Sequence, residues 1–167
     1  MKSEELIDKI IPPRDFKHRN GFNNTSLIDK LDGDAKRVLE KSLIENLADQ
    51  SGGDLDPLLI DTLGYMKSRQ SVPTLTGLLD RCRDDKMKIV LAAAVFEICR
   101  DKKVVPIAIS AARQIDAMAG PYRIPNLTSA FYYLAKFNLR EVDELIASFS
   151  DNEDFLIAYN AKRALKI

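Results

Sequence analysis

Residues 62 to 73 read Thr62-Leu63-Gly64-Tyr65-Met66-Lys67-Ser68-Arg69-Gln70-Ser71-Val72-Pro73: the end of one helix, a polar turn and the start of the next. Proline fits the first turn of a helix, where its missing N–H has no intrahelical partner. Upstream, Asp56-Pro57 follows the turn Ser51-Gly52-Gly53-Asp54 and has the form of an N-cap with proline at the first helical position. Leu58, Leu59, Thr62, Leu63 and Met66 then recur at helical spacing, which predicts a helix over about 57–67. Downstream, Val72, Leu75, Leu78, Leu79 and Cys82 share one face. The two helices are expected to form an antiparallel hairpin.

The pattern returns further along the chain. Residues 86–100 place Met87, Val90, Leu91, Ala94, Val95 and Ile98 on an apolar helix closed by Asp101-Lys102-Lys103. Val104-Val105-Pro106 opens a helix that runs through Ala108, Ile109, Ala112 and Ile115 to about Met118, where Ala119-Gly120-Pro121 stops it. A third pair is expected from about Pro125 to Lys136, then from Asn138, read as a cap with Glu141 three residues on, through Val142, Leu145, Ile146 and Phe149. A last helix spans about Glu153 to Lys166.

Leu63 to Val72, Phe96 to Val105 and Tyr133 to Val142 are each nine residues apart, and the units repeat after 33 and then 37 residues. Four residues before the first-helix anchors stand Leu59, Ala92 and Ser129, and Ala161 stands four before Leu165. Small residues at three of these four positions would let helices approach closely. Such a period, with helix, short turn and helix in each unit, predicts an all-α chain built as an α-solenoid.

The stretch Thr62 to Pro73, and Ala92-Ala93-Ala94-Val95-Phe96 followed by Val104-Val105-Pro106, resemble short HEAT-like repeats. The likeness covers residues 56–118 well and 122–167 more loosely, and it departs at Asp143, where the family has proline. The tetratricopeptide tryptophan and the ankyrin Thr-Pro-Leu-His signature are both missing. The resemblance implies about three helical hairpins plus N- and C-terminal capping helices, wound into a right-handed superhelix. Repeats are expected at 56–85, 86–120 and 121–151, with a capping helix at 152–167. Thr25–Leu31 and Asp34–Asp49 are read as helices of an irregular cap spanning 25–55, and residues 1–24 as an N-terminal arm.

Composition narrows the chemistry. The 167 residues carry 25 Lys plus Arg against 25 Asp plus Glu, 46% hydrophobic residues, one His, two Cys and no Trp. Zero formal charge argues against a protein that lives by neutralising phosphates. Cys82 and Cys99 are read as small core hydrophobes. The N-terminus lacks a basic region followed by an apolar core, and no apolar run nears the roughly 18 residues of a membrane span, so a cytoplasmic location without membrane contact is expected.

No Gly-rich phosphate loop, paired Cys or His-x-x-x-His helix is present, so neither metal nor cofactor is expected. His18 lies in Arg14-Asp15-Phe16-Lys17-His18-Arg19 without an evident fixed partner. That cluster could touch phosphates with Phe16 and Phe22 stacking, or be a solvated arm. The acidic pairs Asp84-Asp85 and Asp143-Glu144, and Asp151 with Glu153 and Asp154, fall where acids stabilise helix starts.

The second helices of stacked pairs line one surface, so residues at matching offsets form columns. Eight and nine residues after Val72 and Val105 come Asp80 with Arg113, and Arg81 with Gln114. Ser110 lies near Arg113, and Glu144 belongs to the third second helix. Phe131, Tyr132 and Tyr133 cannot share one helical face, and Tyr132 is the expected outward member. Mixed charge on such a strip suits a protein partner more than a polyanion, and nucleic acid is disfavoured. A solvated face is the plain alternative.

The expected function is noncatalytic protein binding. The HEAT-like resemblance implies, more narrowly, an immunity protein of a bacterial toxin–antitoxin or contact-dependent inhibition system that masks a cognate toxin. Related repeats also include bilin lyases and DNA-repair glycosylases, and a constitutive assembly adaptor is a further possibility. A glycosylase would need a basic concave face, whereas this strip contains Asp80 and Glu144.

Overall fold

The computed structural model describes residues 3–50 and 54–167, so most of the turn expected at Ser51-Gly52-Gly53 lies outside the described residues. Among them there is no strand. Eleven α-helices follow in order: α1 Ser3–Ile10, α2 Phe16–Arg19, α3 Thr25–Asp29, α4 Gly33–Asp49, α5 Pro57–Tyr65, α6 Val72–Arg81, α7 Asp85–Cys99, α8 Val105–Asp116, α9 Arg123–Leu134, α10 Arg140–Ala147 and α11 Phe155–Leu165.

Capping residues fix the starts. Asp32, Asp56, Asp84 and Asp154 are extended N-caps whose side chains accept from backbone N–H groups one turn in. The acidic cluster around Asp154 and the Asp84-Asp85 pair thus serve helix starts, as their positions suggested.

The recurring unit is marked by backbone conformation. Lys67, Arg100 and Asn138 all adopt positive φ at 54, 57 and 48°. Each ends one helix in the left-handed region normally given to glycine, and the next residue is extended. At the first turn the Ser68 N–H donates to the Leu63 carbonyl at 3.1 Å, the closing bond of a Schellman cap. A 3-10 turn follows at Arg69–Ser71 and again at Lys102–Val104, and Val-Pro then starts α6 and α8.

Asn138 is therefore the left-handed terminator of the third unit, not the N-cap expected from its spacing to Glu141. Leu139 takes the N-cap position without a side-chain bond. The left-handed residues are 33 and 38 residues apart, which shifts the third register by one. Leu134, fully buried, occupies the position of Leu63 and Phe96, and Val142 aligns with Ser71 and Val104. The physical reason lies upstream of α9: α8 is two residues longer than α6 and the connection at 117–122 is three longer than that at 82–84, while Leu134 to Asn138 keeps the spacing of Leu63 to Lys67.

α7 is the central helix. Ile89 to Phe96 are consecutively buried, so it is enclosed on all sides, by α5, α6, α8 and α9. Ala92, Ala93 and Ala94 make this possible by letting neighbouring backbones close in. Gly64 of α5 sits so near that a Cβ there would lie 3.5 Å from Ala94 and 3.1 Å from Glu97 Oε2. α5, α7, α9 and α11 pack side by side in chain order; α8 packs on α7 and α9, and α10 on α9 and α11.

The N-terminal segment is part of this core instead of a separate arm. Leu6 and Ile10 of α1 are buried, and α1 packs on α4. Arg19 forms a two-pronged ion pair with Asp56, at 2.8 and 3.1 Å, and donates from Nε to the Pro12 carbonyl at 2.8 Å. Buried Asn24 donates to the Ile10 carbonyl at 3.2 Å and to Thr62 Oγ1 at 2.8 Å. Cys99 also departs from expectation, being exposed with its thiol 3.3 Å from the Val95 carbonyl, whereas Cys82 is half-buried.

Candidate functional site

α8 and α10 flank an open groove of about 720 Å³. Its α8 wall is Pro106, Ile109, Ser110, Arg113 and Gln114, and its α10 wall is Glu141, Glu144, Leu145 and Ser148. α8 starts with proline in its first turn and α10 follows Leu139, and polar residues of both helices line the groove. The buried rows, Ala108, Ala112 and Ile115 on α8 and Val142 and Ile146 on α10, hold those faces outward.

Four residues singled out from spacing meet here: Ser110, Arg113, Gln114 and Glu144, all exposed. Glu144 accepts from Arg140 Nε at 2.7 Å one turn back on its own helix. Such an exposed pair holds little energy and leaves the carboxylate open to exchange partners. Arg113 and Glu141 have no ion-pair partner among the described residues. The groove presents one cation and two carboxylates around the apolar side chains Ile109 and Leu145.

Ser110 and Gln114 also edge a second hollow of about 620 Å³, toward Arg83, Asp85 and Lys88 at the start of α7. They form a ridge between the two. Asp80 and Arg81, at the end of α6, are exposed but line neither hollow. Tyr132 is exposed at 62%, as its place on α9 suggested, but it belongs to a different cleft, between α9 and α11. Glu141 and Leu145 were missed as groove residues. Helical spacing from Glu144 offered the signal for Glu141, three residues away on the same face.

The strongest electrostatic perturbation lies elsewhere. Tyr133 Oη donates to Asp61 Oδ2 at 3.2 Å, and Lys136 Nζ lies 3.4 Å from Asp61 Oδ1 and 3.9 Å from Glu97 Oε2. Burial pushes the Asp61 carboxyl above its ordinary range, with Lys136 opposing, and raises Tyr133 strongly. The Lys136 ammonium also lies 5.0 and 5.2 Å from the ring centres of Tyr132 and Tyr133. The cluster ties α5, α7 and α9 together.

His18 Nδ1 is 2.8 Å from both oxygens of Asp15, whose carboxyl is held below its usual range by the His18 backbone N–H and then the ring. Both groups are exposed and face no cavity described above. Among the described residues no group of three or more His, Cys, Asp or Glu is placed to hold a metal ion.

No family model, curated protein or solved structure matches the chain. No helix is long and apolar enough to cross a membrane among the described residues.

Proposed function

We propose that the chain is a noncatalytic protein-recognition module. In this reading α5/α6, α7/α8 and α9/α10 are stacked units of a short right-handed α-solenoid, and the second helices supply the gripping surface. The chain-order packing of α5, α7, α9 and α11 and the recurrence of left-handed Lys67, Arg100 and Asn138 support the stacking.

The observation that carries the function is the meeting of Arg113 with Glu141 and Glu144 across one groove with Ile109 and Leu145 between them. An apolar strip edged by both signs of charge suits a protein segment with the complementary pattern. A polyanion gains no net attraction there, since Glu141 and Glu144 balance Arg113 and the Arg140 paired with Glu144. The HEAT-like resemblance narrows the partner to a bacterial toxin domain, with the chain as its immunity protein.

The test is affinity purification of the tagged chain from its native host, in parallel with an Arg113→Glu, Glu144→Lys double variant. One protein recovered with the wild type and lost from the variant supports the groove. Co-expression with that protein should relieve growth inhibition if it is a toxin. Recovery of nothing specific, or equal recovery with both chains, overturns the reading.

A further inference from the structure

The outward side of α11 is unusual for a face with no helix packed on it among the described residues. Ile157 and Ala161 are buried against α9 and α10, as a helix of this length requires. On the opposite side stand Phe155, exposed at 75%, and Tyr159, exposed at 51%, with Lys162 and Lys166 continuing the same stripe toward the C-terminal end. The two rings stack on each other at 5.8 Å and 23° in the open. Leu156 adds exposed apolar surface next to them, and Ile167 is exposed at the far end of the helix. The outer helix of a stacked array ordinarily shows a polar face, and a contiguous apolar one marks a covered surface.

Charge along α11 indicates what covers it. The acidic residues Asp151, Glu153 and Asp154 gather at its start, and the basic residues Lys162, Arg163 and Lys166 at its end. Among the described residues the only ion pair joining the two groups is the loose Lys162–Asp151 contact at 3.9 Å, with Asp151 fully exposed. A second α11 laid antiparallel across a two-fold axis places acidic start against basic end twice. The Phe155 and Tyr159 rings then meet those of the other copy near the axis. The face is its own complement, which is the requirement of an isologous pair.

We propose that α11 is the contact of a homodimer formed by two copies of this chain, with Phe155 and Tyr159 as anchors and the two charged ends setting an antiparallel register. The pairing does not depend on the α8–α10 groove. An 11-residue helix is only about 16 Å long, so the contact is small and the dimer belongs to the weak, concentration-dependent class.

The test is sedimentation equilibrium of the full chain from about 1 to 300 μM, where a weak small-interface dimer has its transition. The wild type should pass from monomer to dimer across that range. Phe155→Ser with Tyr159→Ser should weaken the dimer at least about tenfold, the effect of losing central aromatic anchors. Lys162→Glu with Lys166→Glu, and separately Asp151→Lys with Glu153→Lys, should each abolish self-association. Mixing those two charge variants should restore a dimer, since one then carries mainly acidic ends, with Arg163 kept, and the other mainly basic ones, with Asp154 kept. Unchanged helical circular dichroism and melting would show that the variants fold. A wild type that stays monomeric to 300 μM, a dimer indifferent to the ring variants, or charge variants that fail to pair when mixed would each overturn the proposal.

Discussion

Tyr133 on α9 reaches back across α7 to donate a hydrogen bond to Asp61 on α5, at 3.2 Å and 72 residues away in sequence. Both helices pack on α7, which brings the two side chains within reach. Lys136 completes the contact from the same helix as Tyr133 or its 3-10 extension. A polar clasp thus spans three successive helices.

Asp61 gives this clasp a pH dependence of definite sign. Its folded pKa is raised above 3.8 by burial, so the folded state holds the proton more tightly than the unfolded chain. Stability from this group is therefore greatest in acid and declines as pH rises from the ordinary carboxyl range through the raised folded value. Asp61→Asn should flatten that part of the profile. Urea unfolding of both chains at closely spaced pH values above 4 is the measurement; parallel profiles would refute the assignment.

The Arg19–Asp56 pair makes a contrasting prediction. The Asp56 side chain is only 8% exposed and also caps α5 by accepting from the Leu58 N–H. Arg19→Ala leaves that buried carboxylate without its counter-charge, at a cost of about 3 kcal/mol. Denaturant titration should show the loss. A change below about 0.5 kcal/mol would mean that the pair adds nothing to stability.

Asn24 tests whether the N-terminal segment belongs to the core. Asn24→Ala removes donors to the Ile10 carbonyl and Thr62 Oγ1 in a buried setting, and should cost about 1 to 3 kcal/mol. Hydrogen exchange should quicken in α1 and around Thr62 in α5 together. Faster exchange in α1 alone would show that the two are not coupled through this side chain.

These contacts explain where the sequence was legible. α5 through α8 were read correctly in order and nearly in extent because Asp-Pro and Val-Pro pairs act locally, fixing helix starts without help from distant residues. The N-terminal segment was not, since its anchors are Arg19 to Asp56 and Asn24 to Thr62, polar pairs separated by 37 and 38 residues that leave no periodic trace. The third unit was misaligned by one because the excess in α8 and the 117–122 connection is five residues where spacing suggested four, and nothing local in α9 marks the difference. Ser110, Arg113 and Gln114, which share one helix, line the α8–α10 groove, whereas the cross-helix columns that paired Asp80 with Arg113 and Arg81 with Gln114 share no hollow.

Arg113 separates binding from folding. It is exposed, with no ion pair among the described residues, so Arg113→Glu should change stability by no more than about 0.5 kcal/mol. Any partner captured by the groove should nonetheless be lost. Thermal unfolding of the variant beside its binding measurement decides the matter, and a large drop in melting temperature would mean that Arg113 has a structural role.

Ser150 provides the one substitution expected to stabilise the chain. Its Oγ is buried without a hydrogen-bond partner, just past the end of α10. The backbone there is already satisfied through the Ser150 N–H, which donates to the Ala147 carbonyl at 3.0 Å. Ser150→Ala removes the desolvated hydroxyl while keeping that bond, and should raise stability by about 1 kcal/mol. For a domain of this size such a gain lifts the melting temperature by roughly 2 to 4 °C. A fall in melting temperature would show instead that the hydroxyl finds a partner in solution, and that its burial costs nothing.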